Sequence, residues 1–312
     1  MSSFGDLNRV NTNIQSLDSQ LSLNRINRDL ANNQMRLSTG LRINRAEDDA
    51  AGYSIATKLN SRVAGLEQAL RNVGDAKSVL DIAESSFDTI MDNLIEMKAL
   101  ATQAANDTLG ADERGYIGAQ ITKLAEDIND IANQTVFQDS ALLNGDPANT
   151  GGAAFSGTLT LTFQVGERAS DTLTATIDSV NVSSIFDVSG VTSGNISLST
   201  SGGAQGGLQF GNGATTAGAN DFRAFIAAVD GAIEEMNNRV NEIGMTQSSL
   251  SIREVTLSQS ISANSAASSR IMDADFAKEQ SESIRLQILQ QTATSALAQA
   301  NMGPQSVLGF LG

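Results

Sequence analysis

Ile284-Arg285-Leu286-Gln287-Ile288-Leu289-Gln290-Gln291-Thr292-Ala293-Thr294-Ser295-Ala296-Leu297-Ala298-Gln299-Ala300 lies near the end of a 312-residue chain and decides how the rest is read. Starting from Ile284, apolar or small residues recur at Leu286, Leu289, Ala293, Ala296 and Ala300, the later steps alternating three and four. That spacing predicts a narrow seam along one helix, as in a coiled-coil strand. Asp273 and Asp275 precede it, where a helix start favours negative charge. Gly303-Pro304 is expected to end it, because proline brings no amide hydrogen and glycine tolerates the turn. Helices hold mainly through packing, so one such seam needs a partner from this chain or from another copy.

The other end of the chain offers one. Val10, Ile14, Leu17 and Leu21 step by four, three and four. The phase then slips to Leu23, Ile26, Leu30 and Leu37, which breaks a strict heptad. Between the ends, Val73, Ala76, Leu80, Ala83, Phe87, Ile90, Leu94, Met97 and Ala101 repeat at three and four. A helix over about 60–105 would run roughly 70 Å at about 1.5 Å per residue. Asn106 to Gly110 breaks it, and Asp112-Glu113 mark the first turn of a return helix carrying Ile117, Ile121, Leu124, Ile128 and Ile131. After Asn220-Asp221, read as a cap, a further seam carries Phe225, Val229, Met236, Val240, Ile243, Leu250, Leu257 and Ile261.

From Gly145 to Gly218 the chain turns rich in Gly, Ser and Thr. Thr158 to Val165 alternates apolar and polar, and Leu173, Ala175 and Ile177 repeat the pattern, which predicts a β-hairpin. Ile185 to Val188 and Ile196 to Leu198 are read as weaker strands. This insert is expected to be exposed and dispensable to the helices. The fold class is therefore mainly α: a long antiparallel helical bundle and terminal coiled-coil helices, with a small β insert. Five segments follow: terminal helix 1–45, rod helices 46–144, β-rich insert 145–218, rod helix 219–269 and terminal helix 270–312.

Composition narrows the chemistry. Aromatics make up 4% with no Trp, and there is no Cys and no His. Thiolate chemistry and disulfides are excluded, and the commonest general base and metal ligand is missing. The adjacent Asp48 and Asp49 point apart on a helix and are read as solvated or capping groups. Asn44 and Glu47 fit a capping box at the start of the rod. The glycines of Ser201 to Gly213 lack the Gly-Lys-Ser/Thr of a phosphate loop. No cofactor, metal site or catalytic residue is expected. Residues 1–45 carry six Arg against three acidic groups and 270–312 three basic against four acidic, so most of the net charge of −15 falls on the middle. An acidic middle disfavours nucleic acid and anionic lipid, and no apolar run approaches the ~20 residues of a membrane span.

Ser269 to Ala277, Gln287-Ile288-Leu289-Gln290-Gln291 and Leu297-Ala298-Gln299-Ala300-Asn301 closely resemble the C-terminal signature of bacterial flagellins. Leu37 to Gly52 resembles their N-terminal signature, with Thr39, Arg45, Glu47 and Tyr53 as mild variants. Asn11-Thr12-Asn13 resembles their start, and Val240 to Gly244 their C-terminal rod helix.

The resemblance implies a structural subunit, not an enzyme, that assembles with its own copies into an extracellular flagellar filament serving swimming. It implies export through the flagellar type III channel without a cleaved signal peptide, and as partners an export chaperone, cap and hook-associated proteins. The hook–filament junction protein is the alternative within the structural class. Val10, Ile14, Leu17, Leu21, Leu30, Leu37, Ile284, Leu286, Leu289 and Leu297 are the expected self-assembly interface. Against the family's innate immune receptor motif, Leu100 and Gln103 match, Glu96 reverses the charge of an Arg, and Gln120 replaces a receptor-contacting Glu. These departures predict weak receptor activation.

Overall fold

The computed structural model describes residues 13–138, 140–144, 157–187, 196–199, 207–210 and 217–309. Val10 lies outside them. The chain divides into two compact units: a terminal unit from 1–64 and 261–312, and a central unit of 65–260.

In the terminal unit, helix α1 (Ile14–Thr39) lies antiparallel to a C-terminal helix (Phe276–Gly309), since Asn27 bonds Gln290 and Asn33 bonds Glu279. Gly40 ends α1 at φ 72°, in the left-handed region that glycine enters without strain, and its N–H returns to the Arg36 carbonyl at 2.8 Å. Extended backbone follows. Leu41 bridges antiparallel to Asp273, the Arg42 N–H donates to the Met272 carbonyl at 2.6 Å, and the Ala274 N–H donates to that of Gly40 at 2.9 Å.

Helix α2 (Ala50–Ala104) starts between the Asn44 cap and the residue 60 expected from the sequence. The capping box expected from Asn44 and Glu47 does not form. Asp48 instead accepts the Asn44 and Arg45 N–H groups, each at 3.0 Å, which folds the segment into a turn, and Glu47 pairs with Arg45 at 3.0 Å. Asp49 caps the helix, accepting the Gly52 N–H at 2.9 Å. A Cβ on Gly52 would sit 2.5 Å from the Asp49 carboxylate and 2.8 Å from Ile43 Cδ1, so a larger residue there would have to displace these side-chain ends and disturb the cap.

The central unit packs α2 from Gly65 onward with α3 (Ala111–Gln134) and with the first part of α5 (Ala219–Met272). All nine residues of the seam from Val73 to Ala101 are buried, as are Ile117, Ile121 and Ile128 of α3 and Phe225, Val229, Met236, Ile243, Leu250 and Leu257 of α5. Lys77 with Glu254 (2.8 Å), Glu84 with Gln247 (2.7 Å) and Lys98 with Asp230 (2.5 Å) run in opposite order along α2 and α5, which makes the pair antiparallel. Of the expected Asn220-Asp221 cap, Asp221 takes part at the start of α5, accepting the Gly218 N–H at 2.8 Å.

Ahead of the insert, a short pair follows α3, β1 (Val136–Phe137) with β2 (Ser140–Ala141). The expected hairpin follows as β3 (Thr158–Gln164) with β4 (Thr172–Asp178), Leu159 opposite Ile177 and Phe163 opposite Leu173. Ile185 to Asp187, expected as strand, belongs to a helical turn, α4 (Val182–Asp187). The Asn181 side chain explains it by accepting the Ser184 N–H at 2.8 Å, a cap that outweighs the β-branched local preference. The Ile196 strand is present as β5 (Ile196–Ser199), paired with β6 (Gly207–Phe210).

The insert packs on the helices through aromatic and polar side chains. Phe186 stacks on Phe225 at 5.8 Å, and Phe210 stacks on Phe222 and meets Phe225 edge-on, both at 5.2 Å. Each such ring contributes roughly 1.5–3 kcal/mol by burial. Arg239 of α5, only 7% exposed, donates to the Ser179 carbonyl at 2.7 Å, and Asn129 of α3 accepts the Val182 N–H at 2.9 Å. The residues that lead out of the hairpin are thus part of the helical core.

The C-terminal helix, α6 (Phe276–Gly309), runs through Gly303-Pro304 instead of ending there. A proline inside a helix removes one hydrogen bond, and the tertiary contacts of α6 supply a replacement described below.

Candidate self-assembly surface

The α1–α6 pair presents two kinds of face. Along α1, the shielded positions include Ser16, Ser19, Leu23, Ile26, Leu30, Asn33 and Leu37, which alternate steps of three and four. Along α6 they are Glu279, Ser283, Leu286, Gln290, Ala293, Leu297 and Ala300, with the same alternation. Leu30, Leu37, Leu286 and Leu297 of the expected interface therefore belong to the seam within one chain. The phase slip read in α1 is the boundary between this seam and a second stripe.

That second stripe faces water. Ile14, Leu17 and Leu21 are 41, 53 and 57% exposed, and on α6 Ile284, Ile288 and Met302 are 51, 57 and 65% exposed. Leu289 sits between the two faces at 39%. Scattered apolar residues on a surface are ordinary, but stripes at helical spacing mark contact surfaces. The reading of Ile284 and Leu289 as seam residues is corrected: the shielded positions lie one away, at Ser283, which is buried, and at Gln290, which bonds Asn27.

Those polar rungs were not read from the sequence. Asn33 donates from Nδ2 to Glu279 Oε2 at 2.6 Å and to the Glu279 carbonyl at 3.0 Å. Gln290 donates to Asn27 Oδ1 at 2.9 Å, and Ser16 Oγ donates to Asn301 Oδ1 at 2.7 Å. The signal was present: extending Leu23, Ile26, Leu30 and Leu37 by the same steps lands on Ser16, Ser19 and Asn33. Arg36 lies between Glu279 (3.7 Å) and Asp48 (3.9 Å) and joins the end of α1 to the following turn. The backbone N–H of Arg45, more than any other group, holds the Asp48 carboxyl below its ordinary pKa.

Of the residues aligned with the immune-receptor motif, Glu96 and Gln103 on α2 and Gln120 on α3 are exposed and Leu100 is half-buried. No hydrogen bond or ion pair among the described residues joins Gln120 to the other three. Among the described residues no group of three or more His, Cys, Asp or Glu is placed to hold a metal, and no helix is long and apolar enough to cross a membrane.

The family model for the bacterial flagellin N-terminal helical region matches residues 10–148, and that for the C-terminal helical region matches 226–311. The chain belongs to the bacterial flagellin family. The two matched regions contain α1 and most of α6 at their outer ends. It is 33% identical to the flagellin of Bacillus subtilis (strain 168), covering 97% of this chain and 99% of that one. It is 32% identical to the flagellin of Listeria monocytogenes serovar 1/2a, over 95 and 97%. The flagellar filament 33 kDa core protein of Treponema phagedenis is 31% identical, over 97 and 99%.

Proposed function

We infer that this flagellin is a structural subunit of the flagellar filament, built by stacking copies through the exposed stripes of α1 and α6. One observation carries the reading. The terminal unit leaves Ile14, Leu17, Leu21, Ile284, Ile288 and Met302 in water on a helix pair that is close to electrically neutral. Neutral apolar stripes gain free energy by leaving water, at about 25 cal/mol per Å² of apolar area, and a second copy supplies the matching stripe. The relatives named above bear flagellin and filament names and no junction name, so the filament reading takes precedence over the hook–filament junction.

In this reading residues 1–45 and 270–312 form the filament core, 46–144 and 219–269 surround it, and 145–218 point outward. The filament is extracellular and serves swimming. The subunit leaves through the flagellar type III channel without a cleaved signal peptide, carried by an export chaperone and seated with the help of cap and hook-associated proteins. It is not an enzyme. Glu96 and Gln120 make recognition by the innate immune receptor weak.

Seeding the purified chain with filament fragments and following growth by electron microscopy tests the function. Helical filaments above a critical concentration are expected. A chain that stays monomeric with seeds at every concentration overturns the reading.

A further inference from the structure

We propose that Asn13 repairs the break that Pro304 makes in α6, and so fixes where α1 begins along its partner. In an α-helix the carbonyl of residue 300 accepts the N–H of residue 304. Here residue 304 is proline, which has no N–H. The helix nevertheless continues to Gly309. The carbonyl left open is Ala300, on a half-buried residue. Asn13 Nδ2 donates to that carbonyl at 2.8 Å.

The same amide does a second thing. Its Oδ1 accepts the Ser16 N–H at 3.1 Å, which caps the start of α1. One side chain thus satisfies an open donor of α1 and an open acceptor of α6, and the two demands fix which way round the amide lies. Ser16 Oγ adds its bond to Asn301 in the next position.

The proline gives the contact its address. Elsewhere in a helix each interior carbonyl already holds the N–H four residues on. Sliding α1 by a turn or a heptad along α6 would point the Asn13 amide at a carbonyl such as that of Ala293, whose own donor is Leu297. Apolar rungs such as Leu23, Ile26 and Leu30 tolerate such a slide far better. The backbone joint at Gly40–Arg42 and Met272–Ala274 holds one end of the pair, and the Asn13–Ala300 contact holds the other. Asn13 is a positioning residue for assembly, and the proposal rests on the filament reading above.

A double-mutant cycle tests it. Asn13→Ser keeps a helix-capping hydroxyl but is too short to reach Ala300. Pro304→Ala returns the missing N–H. Two readouts are compared in the wild type, both single variants and the double variant: the critical concentration for seeded polymerisation, and hydrogen-exchange protection of the first turn of α1 in the soluble chain. Asn13→Ser is expected to raise the critical concentration about tenfold and to lower protection by a similar factor, as for one lost hydrogen bond to a shielded group. In the Pro304→Ala background both effects should shrink below about twofold. Equal penalties in the two backgrounds, or no penalty with Pro304 in place, overturn the proposal. Failure of the wild type to polymerise defeats the filament reading instead, and the exchange cycle then decides this one alone.

Discussion

Among the described residues, the central unit buries forty apolar side chains and leaves seven large ones exposed, while the terminal unit buries three and leaves ten exposed. The charge divides the other way. The central unit carries twenty-five acidic and nine basic groups, the terminal unit ten and eleven. A unit with a packed core and a large like charge is complete by itself and resists sticking to its copies. A unit with almost no core and no net charge is the opposite on both counts. Both are built of long amphipathic helices, so the difference lies in how many apolar faces each helix carries. In the central unit each helix turns its apolar face inward. On α1 and α6 there are two stripes, and only one is used within the chain.

The strongest break of this comparison is removal of residues 270–312. Filaments should vanish in seeded growth while circular dichroism still shows a helical central unit; collapse of the whole chain would mean that the two units are not independent in stability. Next comes Phe225→Ala in the central unit. Phe225 is 1% exposed and meets both Phe186 and Phe210. The loss should be about 3–5 kcal/mol, read as a melting point lower by roughly 10 °C. The paired change Leu17→Asp with Leu21→Asp should do the reverse. Both positions are more than half exposed, so the melting point of the soluble chain should move little. The critical concentration should rise about a hundredfold, since each carboxylate would be buried unpaired between copies.

The smallest effect concerns acid. The folded pKa of Asp48 is depressed, chiefly by the Arg45 N–H. A depressed carboxylate contributes stability that is present above its unfolded pKa and is lost as pH falls through the folded value. The window therefore opens below the ordinary value of 3.8. The Asn44 and Arg45 amide resonances should shift there in an acid titration, and Asp48→Asn should remove that shift.

Much of this division was legible in the residues. The run from Val73 to Ala101 announced a buried seam because one apolar face at strict spacing has one physical solution. The hairpin at Thr158 and Thr172 was equally plain, because alternation with period two admits no helix. What was missed shares a cause: polar side chains overriding local preference. Asn181 turned an apolar, β-branched run into helix, and Asp48 rather than Glu47 took the Asn44 N–H. Ser16, Asn33 and Gln290 occupied seam positions that a search for apolar residues passes over. Pro304 was read as a stop because a sequence cannot show that a side chain almost three hundred positions away meets the orphaned carbonyl.

The joint beside Gly40 carries a consequence for genetics. Its two bonds run from the Arg42 and Ala274 amides to carbonyls, so no side chain makes them. Alanine at Leu41 or Met272 would leave both in place and report tolerant positions, while alanine at Arg42 would lose only its side-chain bond to the Ile271 carbonyl. Proline at 42 or 274 would delete a donor outright, and any branched residue at Gly40 would meet its left-handed backbone. Such sites are invisible to most substitutions and unforgiving of a few.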